Sequence, residues 1–309
     1  PSDGGFAVQT DFNKEILRAA YDKSVLAQKC KKIKISGQSN TLKIAAIDET
    51  SRANGSRWGG VSSSWVAEGG AFTDSKPKLR QMELSLNKLT GLCYLTEELY
   101  QDAPALEQVV KDAFAGEISF VIDDMILRGS GVGCPLGILN SGAVVEVSKV
   151  AGQTAATLVA ENVEEMYARL YPGGHNSDST VWVVNQECWP QIFQFHHAVG
   201  TGGTGVFVPG GSIAGQPYNT LFGKPIFTME QCAALGTAGD VLLLDLSQYL
   251  IAEKGGLAMD QSLHVRFLYD ERTLRFRYRL DAQPLWAAPV TPYKGSSDLS
   301  AFVSLETRS

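Results

Sequence analysis

The chain has 309 residues, 44 % of them apolar and 19 % charged, and a formal net charge of −6. That composition excludes disorder as the default and supplies enough chain for one large domain or two moderate ones. The acidic balance argues against wrapping nucleic acid tightly, since phosphate binding needs a concentrated basic surface, and the local bunch Lys29, Lys31, Lys32 and Lys34 reads as a solvated strand or helix end.

Five cysteines, Cys30, Cys93, Cys134, Cys188 and Cys232, are odd in number, widely spaced and free of any CxxC pair, which reads as reduced, mostly buried thiols in a cytosolic protein. No apolar run approaches the ~20 residues that span a bilayer, and no signal peptide is visible. Pro1 stands where a methionine would, so the start was trimmed or follows a removed segment.

In chain order, DFNKEILRAAYDKSVLAQKC (11–30) carries Phe12, Ile16, Leu17, Ala20 and Tyr21 on one modest apolar face, a helix that needs a partner surface. KIKIS (32–36) and TLKIAAI (41–47) alternate as strands around a turn signal at 37–40. The glycine- and serine-rich stretch 51–80 is flanked by strand-like SWVAE before its centre and QMELSLNKL after it, giving a long two-stranded ribbon with an open tip. A lone hairpin is marginal in water, so this ribbon folds back on its own domain, lies across a neighbouring subunit, or hangs free. Trp65 and Phe72 near the tip weigh against the last.

Asp102, a capping residue, and Pro104 open a helix that runs to Arg128, roughly 37 Å at about 1.5 Å per residue. Its first apolar group (Leu106, Val109, Val110, Ala113, Phe114) and its second (Ile118, Val121, Ile122, Met125, Ile126) point in different directions, so the stripe winds round the rod. The readings are a long core helix or a spine shared by two packing units. After the glycine run 129–140 come AVVEVSKV, a helix at 161–171, the buried-type strand TVWVVN, a helix ECWPQIFQFHHA (187–198), a loop at 200–218, KPIFT, VLLLDL and a short SQYLIAE element. LHVRFLYD (263–270) and TLRFRYRLDAQPLW (273–286) read as a long antiparallel pair, and residues past Lys294 as a tail. Strands and helices do not interleave evenly, which favours mixed α+β over a doubly wound sheet.

Motifs that carry chemistry are absent. The glycine run follows a helix instead of opening one and has Leu136 where GxGxxG needs glycine. His196 and His197, on a predicted helix, point about 100° apart and cannot share a metal, His175 and His264 are isolated, and GxSxG is missing. The paired acids have no spacing for acid/base work. No catalytic residue, cofactor or metal site is expected.

The order of the parts resembles the major capsid proteins of tailed bacteriophages, the Hong Kong 97 capsid fold. The resemblance runs through GGFAV, SWVAEGGAF, QMELSLNKLTGLCYLTEELYQDAP, ILRGSGVGCPLGILN, TVWVVNQECWPQI, LFGKPIFT and RFRYRLDAQPLWAAPVTPYKG, and the helix ending in glycines followed by GILN is its most specific piece. It implies an α+β subunit with an N-terminal arm (1–40), an extended β-hairpin loop (41–90), a peripheral domain with the spine helix (91–133) and long strands (261–286), an axial domain (134–260), and a C-terminal return and tail (287–309). It also implies hexamers and pentamers of an icosahedral virion shell enclosing double-stranded DNA, assembled in the host cytoplasm with no membrane. Implied partners are other copies, weakly held DNA, a portal, a scaffold or protease, and a cementing protein.

In this family the extended loop lies over the neighbouring subunit, so Trp65, Phe72, Lys76, Lys78 and Arg80 are the candidate contacts. The trimmed start resembles protease removal of a scaffolding segment, although a cloning choice looks identical. The namesake crosslinks a loop lysine to a peripheral-domain asparagine; here positions 69–72 lack lysine and the region around Asp270 lacks asparagine, so no autocatalytic crosslinking is expected. Two other readings stand beside this one: an encapsulin-like nanocompartment shell and a cytosolic α/β enzyme.

Overall fold

The computed structural model describes residues 24–35, 39–98, 104–199, 202–205 and 220–308. The expected N-terminal helix lies outside them except for its end, where Leu26–Lys29 form the single turn α1. Asp102 and most of the loop 200–218 also lie outside.

The long helix α2 spans Pro104–Arg128. Its winding stripe meets two different sheets. Near its middle Phe114 stacks on Phe276 with ring centroids 4.3 Å apart, and at its end Ile126 and Leu127 enter a buried cluster with Val181, Val183, Leu242 and Leu244.

The sheet under the middle of α2 has four strands in the order β1 (Lys31–Lys34), β12 (Tyr249–Arg266), β13 (Glu271–Pro284) and β4 (Asn87–Thr96). β1 runs parallel to β12; the other pairs are antiparallel. β12 is longer than the sequence suggests, because the YLIAE part of SQYLIAE and the glycines at 255 and 256 belong to it, with a register shift between Lys254 and Ala258. Gly91, opposite Phe276, leaves room for the ring of Phe114.

The sheet at the end of α2 has six strands in the order β5 (Val144–Val147), β14 (Phe302–Leu305), β11 (Val241–Asp245), β6 (Thr180–Val184), β10 (Lys224–Thr228) and β9 (Thr220–Leu221). Every residue of β6, β11 and β14 is buried. The reason is burial on both faces, which gives continuous apolar runs in place of alternation. One face carries α1 and the end of α2; the other carries α3 (Ala160–Arg169) through Val163 and Met166.

The glycine run closes α2. The chain doubles back so that Ile138 and Leu139 donate their N–H groups to the carbonyls of Ile126 and Leu127, and the Asn140 amide reaches those of Arg128 and Gly129. These are helix-end acceptors with no partner inside the helix. A Cβ at Gly137 would lie 2.4 Å from the Gly129 nitrogen, so GILN is a tertiary helix cap whose first residue has to lack a side chain.

Several expectations change. KIKIS and TLKIAAI are strands but do not pair with each other: β1 joins β12, while β2 (Thr41–Ile47) pairs with β3 (Leu79–Ser85). SWVAE is irregular. The segment 187–198 forms one helical turn, Trp189–Ile192, and then β7, His196–Val199, which finds ladder partners in β8, Gly202–Gly205; His196 and His197 are therefore on a strand. The end of the chain is no tail. β14 fills the sheet between β5 and β11, and Arg308 is buried against Asp240, Thr157 and the Glu306 carbonyl.

Candidate inter-subunit surfaces

The β2–β3 ribbon is anchored at its base. Met82 and Leu84 pack with Ile35, Leu250 and Ala252 on the face of the four-stranded sheet opposite α2, and Asp281 accepts the Ser85 N–H at 2.7 Å. Residues 49–61 fold against the C-terminal segment, where Arg52 donates to the Thr291 carbonyl and Thr291 returns a bond to Thr50. Beyond them the loop stands clear: every residue from 61 to 79 is exposed.

The five predicted contact residues divide accordingly. Trp65 and Phe72 are 104 % and 91 % exposed, and Lys76 and Lys78 have exposed side chains. Arg80 is different: its guanidinium donates to the Leu285 carbonyl at 2.7 Å and ties the ribbon to its own subunit. The alternation of QMELSL reveals the buried ribbon face, but not the distant carbonyl that takes Arg80.

A second exposed apolar group lies in LHVRFLYD, where the alternation predicts a strand. Where β12 turns into β13, Leu263, Val265, Phe267, Leu268 and Tyr269 are exposed, Leu268 by 93 %. Phe267–Tyr269 form a short 3-10 turn closed by Asp270 in a left-handed conformation, φ 53°. The signal available in the sequence was FLY at a hairpin tip, where polar turn residues are the norm. Beside it the Arg266 guanidinium lies 4.1 Å from the Tyr94 ring centroid and pairs with Glu271.

The face of the four-stranded sheet away from α2 continues from the ribbon base with a row of basic residues. Register sets Lys88 of β4, Arg279 of β13 and Lys254 of β12 directly opposite one another, with Arg277 and Arg275 further along. Asp260 pairs with both Arg275 and Arg277, and the Arg275 contact holds its carboxyl below the usual range.

Elsewhere several buried polar groups are committed to the fold. Buried Asp245 accepts from the Tyr171 and Ser177 hydroxyls and from Ser247. Cys30, Cys188 and Cys232 are buried, and desolvation pushes each thiol up to about 12. Cys134 is the exception: hydrogen bonding from Ser130 lowers its pKa. His175 lies against Tyr167, and burial lowers its pKa. Among the described residues no three His, Cys, Asp or Glu are grouped to hold a metal, and no helix is long and apolar enough to cross a membrane.

Two sheets meet along one long helix, and a ribbon stands out from them. The chain belongs to the phage capsid family, whose profile matches residues 4–295. A capsid polyprotein of Pseudomonas phage PAJU2 is 24 % identical over 213 residues, which are 67 % of this chain and 30 % of that protein; the chain thus spans about a third of that relative's length. Among solved structures, the capsid of a native GTA particle matches with a TM-score of 0.71 at 16 % identity, covering 100 % of this chain and 98 % of the other. Mycobacterium phage Cain matches at 0.62 and 14 % identity, covering 98 % and 96 %. The chain is thus a member of a phage capsid family and shares the fold of these capsid chains.

Proposed function

We propose that the chain is the major capsid protein of a tailed bacteriophage, tiling as hexamers and pentamers into an icosahedral shell around double-stranded DNA in the Hong Kong 97 arrangement. The observation that carries this reading is the ribbon, anchored at its base and exposed at every residue from 61 to 79, with Trp65 and Phe72 among them. Large exposed apolar side chains on a projecting element mark a contact surface. On this reading Trp65, Phe72, Lys76 and Lys78 reach a neighbouring subunit, while Arg80 sets the angle of the ribbon. On this reading the arm is 1–40, the extended loop 41–90, the peripheral domain 91–133 with the long strands 261–286, and the axial domain 134–260. The net charge of −6 suits a wall that confines DNA without gripping it. Portal, scaffold, protease and a cementing protein are the further partners, the last because covalent crosslinking is not expected. Expression of the full chain followed by electron microscopy tests the proposal: closed shells with nuclease-protected DNA in phage-infected cells support it. A soluble monomer whose residues 61–79 are protected from hydrogen exchange overturns it.

A further inference from the structure

The six-stranded sheet has two edges, and only one is long enough to take another strand. At one end β9 has two residues, and its Leu221 carbonyl already accepts the Trp182 indole N–H at 3.0 Å. At the other end no strand lies beyond the four residues of β5. Successive residues of a strand turn their backbone groups to opposite sides, and the Val147 carbonyl is taken on the β14 side by the Glu306 N–H. Val145 and Val147 therefore serve the ladder, while Val144 and Glu146 turn their N–H and C=O groups to the open side. An unpaired edge of this kind is a template for another extended chain.

α3 stands beside β5 and makes its end one wall of a groove. Glu161, Glu165 and Arg169 follow one another along a single stripe of the helix, and with Asn162 and residues 146–150 they line a cleft of about 320 Å³. The stripe is about 12 Å long at roughly 1.5 Å per residue, and β5 about 13 Å at roughly 3.3 Å per residue, so the two walls match. Arg169 pairs with Glu165, and Lys149 is likewise engaged. Glu146 and Glu161 have no ion pair among the described residues, so the lining carries three carboxylates against two cations and its free charge is negative. Beside them the Glu306 carboxylate accepts the Lys149 N–H at 3.0 Å. The groove also holds an unspent donor. Asn162 is 0 % exposed, and its amide oxygen accepts from the Gln153 amide at 2.7 Å and the Val159 N–H at 3.2 Å, but its NH2 group has no partner. A buried donor left unpaired is costly, and one that lines a cleft is satisfied by an acceptor on whatever fills it.

We infer that this groove is a peptide-binding site: an extended segment of a partner protein, with lysine or arginine at alternate positions, adds to β5 as a further strand. It pairs with the open backbone groups of Val144 and Glu146, sets its cations against Glu146 and Glu161, and offers an oxygen to the Asn162 NH2 group. Nucleic acid is the wrong occupant, since free carboxylates repel phosphate. So is a second copy of this chain. Among the described residues its basic run Lys31–Lys34 is already paired with β12, and Lys76 and Lys78 flank Pro77, which has no N–H to give to a ladder. The site goes beyond the shell reading, because it belongs to a single subunit and is tested without a particle.

The probe is an end-blocked peptide of alternating lysine and valine, about eight residues long, titrated onto the full-length chain. Saturable binding is expected by fluorescence anisotropy, together with new hydrogen-exchange protection at the Glu146 amide. Glu146→Gln with Glu161→Gln is expected to weaken binding about tenfold at an unchanged melting temperature. Full N-methylation of the peptide backbone keeps its charge and removes its ladder donors, and is expected to abolish binding, where plain electrostatic attraction would survive. No binding, equal affinity for the N-methylated peptide, an unaffected double variant, or no protection at Glu146 overturns the inference. Protection of that amide that rises with chain concentration in the absence of peptide overturns it in favour of a second copy. Failure of the chain to form particles would instead overturn only the shell reading.

Discussion

A single carboxylate joins the start of the described chain to the long helix. Asp123 is 3 % exposed and accepts the Ser24 hydroxyl at 2.8 Å and the Val25 N–H at 2.9 Å, with a longer bond from the Ala27 N–H; it caps α1 from another element. Burial holds its carboxyl above the usual range despite these donors. Asp123→Ala is expected to lower subunit stability by about 2–3 kcal/mol, because hydrogen bonds to a charged acceptor are lost and their donors stay buried. Asp123→Asn keeps an acceptor oxygen and carries no charge to desolvate, so its loss is about half as large. Urea unfolding of unassembled subunits measures both.

At the scale of elements, the closeness of α2 to its sheet depends on one missing side chain. A Cβ built on Gly91 would lie 2.5 Å from the Phe114 ring, which also stacks on Phe276 across the strand pair. Gly91→Ala therefore has to push the ring off its stack, with an expected loss of about 1–3 kcal/mol, the usual range for overpacking. The ribbon gives the opposite signature. Because Trp65 and Phe72 are almost wholly exposed in their own subunit, Trp65→Ala and Phe72→Ala are expected to change its stability by no more than about 0.5 kcal/mol. Particle yield, read by sedimentation, is expected to fall. A matching drop in subunit stability would place those side chains in the fold and not at a contact.

For the whole molecule, pH acts through thiols. Cys30, Cys188 and Cys232 have folded values near 12 against 9.0 for an ordinary thiol, because each is desolvated. The sign follows directly: between pH 9 and 12 the unfolded chain has released these protons and the folded chain has not, so stability falls as pH rises. Buried Tyr249 and half-buried Tyr171 and Tyr278 are raised as well and act in the same direction. Below pH 9 the contribution is fully present. Three coupled protons set a slope of up to roughly 4 kcal/mol per pH unit, checked by unfolding midpoints at pH 8, 10 and 11 and flattened in Cys30→Ala. Mature shells are also expected to run as single subunits on a denaturing gel, since positions 69–72 offer no lysine to a crosslink.

What the sequence by itself determined is whatever has a short period: the long helix with its winding stripe, the buried runs TVWVV and VLLLD, the alternation of β13, and the open ribbon with its aromatics. Local spacing carries those signals, since a residue's face depends only on its near neighbours. Tertiary structure alone decided the rest. AFVSL became a central strand because β5 and β11 flank it, HHAV became a strand because Gly202–Gly205 lie opposite, and GILN became a helix cap because the chain turns back over α2. The basic row belongs to this second group: Lys88, Lys254 and Arg279 are scattered in the sequence and become one surface only when register between three strands brings them into line.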